Sequence, residues 1–163
     1  MKKFVFIVLL FVGYHSVFSQ CIKPGIIKTS KVRALKNGIG EKEMAIEAVI
    51  TISDTSVVLN ITENGETETV ESEIVEVSGC AWKEYLRDGS MQLQAMSRKG
   101  DERAIKSVID ITAKNGFTTI SFSDAAKPGT GLQFDVAAYQ FMPEAAGDGK
   151  KKNGKKEKKK RKD

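Results

Sequence analysis

A chain of 163 residues with two cysteines and one histidine, His15, has room for one folded domain and few soft metal ligands. Its formal charge of +5 hides opposite parts: residues 1–19 carry +2, residues 20–149 sum to −5 and residues 150–163 to +8. Nothing repeats at a fixed period, which excludes solenoids and propellers, and no cofactor is expected.

The chain opens on Lys2 and Lys3, followed by nine apolar residues, Phe4 to Val12. A membrane-spanning helix needs about 20, so this run fits the core of a secretory signal peptide. Val17 and Ser19 stand at −3 and −1 of a cut after Ser19, leaving Gln20 as the first residue. An uncleaved anchor and a lipid on Cys21 are the alternatives. The short apolar run weighs against the first. Phe18-Ser19-Gln20 departs from the Leu-x-small pattern of lipidated cysteines and weighs against the second. The expected organisation is a signal peptide over 1–19, a β-rich domain over 20–143 and a disordered lysine-rich tail over 144–163. The expected location is periplasmic or extracellular.

Residues 26–35 hold Ile26-Ile27 and Val32 to Leu35, a candidate strand ahead of Asn37-Gly38. Ile46, Ala48, Ile50 and Ile52 then alternate with polar or smaller residues, the period of a strand. Ser53 to Ser56 reads as a turn, because short oxygen side chains bond local backbone. Val57, Leu59 and Ile61 form the next strand, and Asn64-Gly65 marks a hairpin to a strand over about 67–77. There Ile74 has one parity and Val75 and Val77 the other. Trp82, Tyr85 and Leu86 at i, i+3 and i+4 predict a short helix or an ordered loop over 79–89. Met91, Leu93 and Ala95 resume the strand pattern, as do Ile105, Ile109 and Ile111, then Ile120 and Phe122 after a second hairpin at Asn115-Gly116. Leu132, Phe134 and Val136 give the last strand, and the opposite parity of Tyr139 and Phe141 predicts a bulge at Ala137-Ala138. Seven or eight antiparallel strands make a mainly β fold: a single sandwich or a small closed barrel.

The catalytic possibilities are narrow. Removal of His15 with the signal peptide leaves no imidazole, which excludes Ser-His-Asp and Cys-His mechanisms and histidine-rich zinc sites. No Ser-x-x-Lys pair is present. Glu47, Asp54, Glu84, Asp88, Asp110 and Asp135 remain as candidate acids and bases, and a glycosidase-type pair would need two of them about 5–9.5 Å apart. Three of them, Glu47, Asp110 and Asp135, sit opposite apolar strand faces, where a solvated carboxylate is the ordinary expectation. Glu63, Glu66, Glu68, Glu71, Glu73 and Glu76 form an acidic run without calcium-loop spacing. Trp82, Tyr85 and Tyr139 are candidates to line a ligand site, although only seven aromatic residues follow Ser19 and the core needs most of them. Asn60-Ile61-Thr62 matches a glycosylation sequon inside a predicted strand. In an oxidising compartment Cys21 and Cys80 are candidates for a disulfide; otherwise Cys80 is a buried thiol.

The tail carries Lys150, Lys151, Lys152, Lys155, Lys156, Lys158, Lys159, Lys160, Arg161 and Lys162. So dense a charge cannot pack, and it attracts polyanions in a salt-dependent way. No metal site is expected. The partner is unknown; an anionic membrane or envelope surface suits an exported protein better than nucleic acid, and the tail has no aromatic residue for base stacking. The leading expectation is a non-enzymatic exported binding or structural protein. A barrel that carries an apolar ligand among Met91, Leu93, Ile109, Phe122 and Phe134, and a carboxylate hydrolase, are the alternatives.

Overall fold

The computed structural model describes residues 21–97 and 104–142. The expected signal peptide and the lysine-rich tail both lie outside these residues. Nine strands follow in chain order: β1 (Gly25–Lys36), β2 (Ile39–Met44), β3 (Glu47–Ile52), β4 (Ser56–Glu63), β5 (Glu66–Ser78), β6 (Gly89–Ser97), β7 (Ile105–Lys114), β8 (Phe117–Asp124) and β9 (Gly131–Phe141). Every neighbouring pair is antiparallel, and β1 also pairs with β9 from Gly25↔Phe141 to Leu35↔Gly131. That pairing closes eight strands into a barrel and decides between barrel and sandwich. β2 stands outside the closure, hydrogen-bonded to the second half of β1, while β3 holds the first half.

Local chemistry sets the corners. At Asn37-Gly38, Asn64-Gly65 and Asn115-Gly116 both residues have positive φ, which asparagine and glycine tolerate best. Ser53 Oγ accepts from the amide of Ser56 at 2.9 Å and that of Thr55 at 3.3 Å, fixing the turn between β3 and β4.

The inward residues fill the barrel. Ile27, Val32, Ile50, Ile52, Val57, Met91, Leu93, Ile109, Ile111, Ile120 and Phe134 are each 2 % exposed or less. An eight-stranded barrel has an interior just wide enough for such side chains. Three register shifts keep apolar residues inward where strict alternation would turn them out. On β5 the shift between Ile74 and Glu76 puts both Ile74 and Val77 on the inner face and leaves Val75 half exposed. On β1 and β9 the shifts skip Ser30 and Ala137. The second is the bulge expected at Ala137-Ala138.

Of the two readings of 79–89 the structure takes the ordered loop and not the helix, and it adds one strand outside the eight of the barrel. Residues 79–88 form no helix: the amides of Lys83 and Glu84 both donate to the Asp88 carbonyl, and those of Arg87 and Asp88 to the Glu84 carbonyl. Leu86 takes φ 56°, a left-handed conformation that ends any helical turn at the position the helix needed. The strand count rises to nine because β2 is solvent-exposed over nearly its whole length and so shows no period-two apolar signal.

Candidate functional site

One end of the barrel carries the chemistry. The register places together the start of β1, the turn between β3 and β4, the segment 79–88, the tip of the β7–β8 hairpin and the end of β9. Here β8 and β9 part company: their pairing stops at Thr119↔Asp135, and beyond it β9 follows β1 alone. Segment 79–88 fills the seam. Thr118 Oγ1 donates to the Leu86 carbonyl at 2.5 Å, and the Gly116 amide to the Arg87 carbonyl at 3.3 Å. The Leu86 side chain, buried, joins the core at the mouth of the barrel.

Four aromatic rings gather beside it. Tyr85 lies 5.2 Å from Trp82, 5.6 Å from Tyr139 and 6.3 Å from Phe141 between ring centroids. Tyr139 and Phe141 meet edge-on at 4.5 Å. Gly25 makes room for this, since a Cβ there would sit 2.6 Å from the Tyr139 ring. Both phenols point at the segment before β1: Tyr139 donates to the Lys23 carbonyl at 2.6 Å and Tyr85 to the same oxygen at 3.4 Å. Burial pushes the pKa of both hydroxyls above the ordinary tyrosine value; the neighbouring Tyr85 adds to the rise on Tyr139, whereas hydrogen bonds with Lys23 and Tyr139 offset part of it on Tyr85. The Lys23 ammonium stands 5.3 Å from the Tyr85 ring centre and 5.8 Å from that of Phe141, within cation–π range. Trp82 Nε1 is buried without a hydrogen-bond acceptor among the described residues.

Between segment 84–87 and the bulged part of β9 runs an open groove of about 640 Å³, bordered by Lys23, Tyr85, Arg87, Thr118, Tyr139 and Phe141. The chain enters and leaves at this end. Cys21 is bridged to Cys80, with Cα atoms 5.8 Å apart, and the Met142 amide donates to the Pro24 carbonyl at 3.0 Å.

The candidate carboxylates are dispersed. Asp135 holds Arg33 through two hydrogen bonds of 3.0 and 2.7 Å on the outer wall, and Asp110 accepts from Gln92 at 2.7 Å. Glu84 and Asp88 share a shallow concavity, but each is ion-paired, with Arg87 at 2.9 Å and Lys83 at 3.3 Å, and both are exposed. Glu47 begins β3 and Asp54 sits in an exposed turn. On the acidic ribbon, Glu63 and Glu66 are opposed at the β4–β5 tip, and Asn60 of the sequon accepts from Thr69 at 2.7 Å.

Trp82, Tyr85 and Tyr139 therefore form one cluster, packed against the core. Phe141 and Lys23 complete it. Only the skipped Ala137 signals this in the sequence, because it turns Tyr139 and Phe141 to a shared face.

The fold and this end define the chain as a small closed antiparallel β-barrel, plugged by one disulfide-anchored loop. Comparison with protein families, curated proteins and solved structures yields no match to it.

Proposed function

We propose that this is an exported, non-enzymatic protein that binds through the outside of its barrel and its cationic tail. The observation that carries the reading is the filled interior. Met91, Leu93, Ile109 and Phe134 are 2, 0, 1 and 0 % exposed and share one core, with Phe122 packed against it. The residues that would line a carrier's pocket contact one another, which favours the binding reading over an apolar-ligand carrier. Ion pairs and amide contacts at Glu84, Asp88, Asp110 and Asp135 weigh against the hydrolase alternative.

Export is supported by the Cys21–Cys80 bridge, which persists in oxidising compartments. The start at Gln20 keeps Cys21 available for that bridge, whereas a lipid on Cys21 would prevent it. Intact mass of the exported protein, with and without reductant, tests cleavage site, lipid and bridge at once. The tail's role is tested by retention on an anionic resin. Deletion of residues 150–163 should abolish retention, and equal retention of the truncated chain would refute the role.

A further inference from the structure

Three Asn-Gly turns close hairpins of this barrel with one local geometry. Asn37, Asn64 and Asn115 have φ of 52, 52 and 54°, and the glycines that follow them have φ of 77, 87 and 80°. All three turns are exposed. They differ in what the glycine amide meets. The Gly38 amide donates to the Gly129 carbonyl at 3.0 Å, and the Gly116 amide donates to the Arg87 carbonyl at 3.3 Å. The Gly65 amide has no acceptor among the described residues. The strand ends that flank the turns differ as well. Glu63 and Glu66 stand directly opposite each other beside Asn64-Gly65, where like charges loosen the pair. Lys36 faces Ile39 and Lys114 faces Phe117 beside the other two turns.

We propose that Asn64 is a site of spontaneous deamidation, which the other two turns resist because their glycine amides are held. The Gly65 amide nitrogen loses its proton and attacks Asn64 Cγ. The side-chain nitrogen takes up a proton and leaves as ammonia, and the two residues close into a cyclic imide. Water then opens the ring at either carbonyl. Opening at the side-chain carbonyl gives aspartate. Opening at the main-chain carbonyl gives an isoaspartyl link, with an extra methylene in the backbone of the turn. The net reaction takes up water and releases ammonia, with no change of redox state. Glycine suits the attacking position, since it has no side chain to obstruct the nitrogen. An amide that already donates to a carbonyl must first give up that bond, which slows the step about fivefold. Charge pulls the other way: Lys36 and Lys114 precede the held turns and favour an amide anion, whereas Glu63 and Glu66 disfavour it. Between exposed, screened groups that effect is about twofold, so the hydrogen bond decides the order. The product adds a carboxylate to a ribbon tip that already has Glu63 and Glu66.

The test compares the three sites within one chain, folded and unfolded. The protein is held at mildly alkaline pH in native buffer and, in parallel, in denaturant with reductant. Peptide mapping by mass follows aspartate and isoaspartate at each site over time. The unfolded chain supplies the rate that sequence alone gives each site, and the unfolded rate divided by the folded rate is the protection. Protection at Asn37 and at Asn115 should exceed that at Asn64 at least about fivefold, and Asn64 should be the fastest of the three in the folded chain. Gly129→Ala places a Cβ 2.7 Å from the Gly38 nitrogen and must displace that contact. It should speed Asn37 and leave Asn64 and Asn115 as they were. Equal protection at the three sites, or greatest protection at Asn64, overturns the proposal. An Asn37 rate indifferent to Gly129→Ala, in a variant that still melts cooperatively, overturns the hydrogen bond as its cause. The wild-type comparison decides by itself if that variant does not fold.

Discussion

The Tyr139 hydroxyl donates a 2.6 Å hydrogen bond to the carbonyl of Lys23, tying the last strand to the segment that follows the disulfide. Tyr85 reaches the same oxygen from the plug loop. One backbone carbonyl thereby gathers three parts of the chain that are distant in sequence. Replacing Tyr139 by Phe keeps the ring stack and removes the shorter bond. A loss of about 1 kcal/mol in denaturant melts is expected, and an unchanged midpoint would show that the bond contributes nothing net.

The phenols also set a pH dependence. Burial keeps Tyr85 and Tyr139 protonated above the usual range in the folded chain, while an unfolded tyrosine ionises near pH 10. Above that pH the unfolded state releases protons that the folded state retains. Their contribution to stability is therefore complete below about pH 10 and falls as pH rises through the folded values. A chain beginning at Gln20, as the proposed cut after Ser19 would leave, has Tyr85 and Tyr139 as its two tyrosines. Phenolate absorbance should stay low until the barrel unfolds; ordinary ionisation with the fold intact would contradict the buried pair.

Cys21 and Cys80 are 59 residues apart in sequence, and a cross-link of that span removes much freedom from the unfolded chain. The Cys21→Ser/Cys80→Ser double variant should lose about 4 kcal/mol. Melts of the wild type with reductant should match those of the variant, and a wild type indifferent to reductant would deny the bridge a stabilising role.

Leu86 offers a test by inversion. Its φ of 56° is strained for a side-chain-bearing residue, yet its side chain is buried. Leu86→Ala loses the packing and keeps the strain. Leu86→Gly loses the packing and relieves the strain, so it should be about 1 kcal/mol more stable than the alanine variant. The opposite order would mean that the left-handed conformation is not retained.

A neighbouring side chain in the plug makes a further case. Trp82 Nε1 is buried without an acceptor among the described residues. Trp82→Phe keeps an aromatic ring in the cluster and removes the orphan donor. Stability should hold or rise by about 1 kcal/mol, whereas a loss above about 2 kcal/mol would mean that the indole's bulk matters more than its N–H.

In the core, Leu93→Ala should cost about 3 kcal/mol, because Leu93 is fully buried and its neighbours come from a closed sheet with little freedom to collapse. A cost below about 1 kcal/mol would mean loose packing and would reopen the carrier reading.

Much of this was legible along the chain. Strands β3, β4, β6, β7 and β8 announce themselves because alternate residues meet core and solvent, and a period of two is the direct imprint of that difference. The Asn-Gly turns are legible because positive φ at two successive residues restricts the choice of side chain. β2 left no such mark, since Ile39 is 70 % exposed, Met44 is 37 % exposed and Glu41, Lys42 and Glu43 between them are charged. The plug loop misled for another reason. Trp82, Tyr85 and Leu86 have helical spacing, but their neighbours come from the segment before β1 and from β8 and β9, and tertiary contact overrode the local period.

The sequence by itself determined a β-rich chain, its hairpin corners, the pool of aromatic residues and the division between an acidic body and a basic tail. These are properties of residues and near neighbours, fixed by pleat, φ and charge. The tertiary structure alone decided that β1 meets β9, that Ser30 and Ala137 are skipped, and that Lys23, Tyr85, Tyr139 and Phe141 converge beside the exit of the chain. Closure depends on pairing between the two ends of the domain, and register there is set by inward packing of the whole barrel rather than by any local signal.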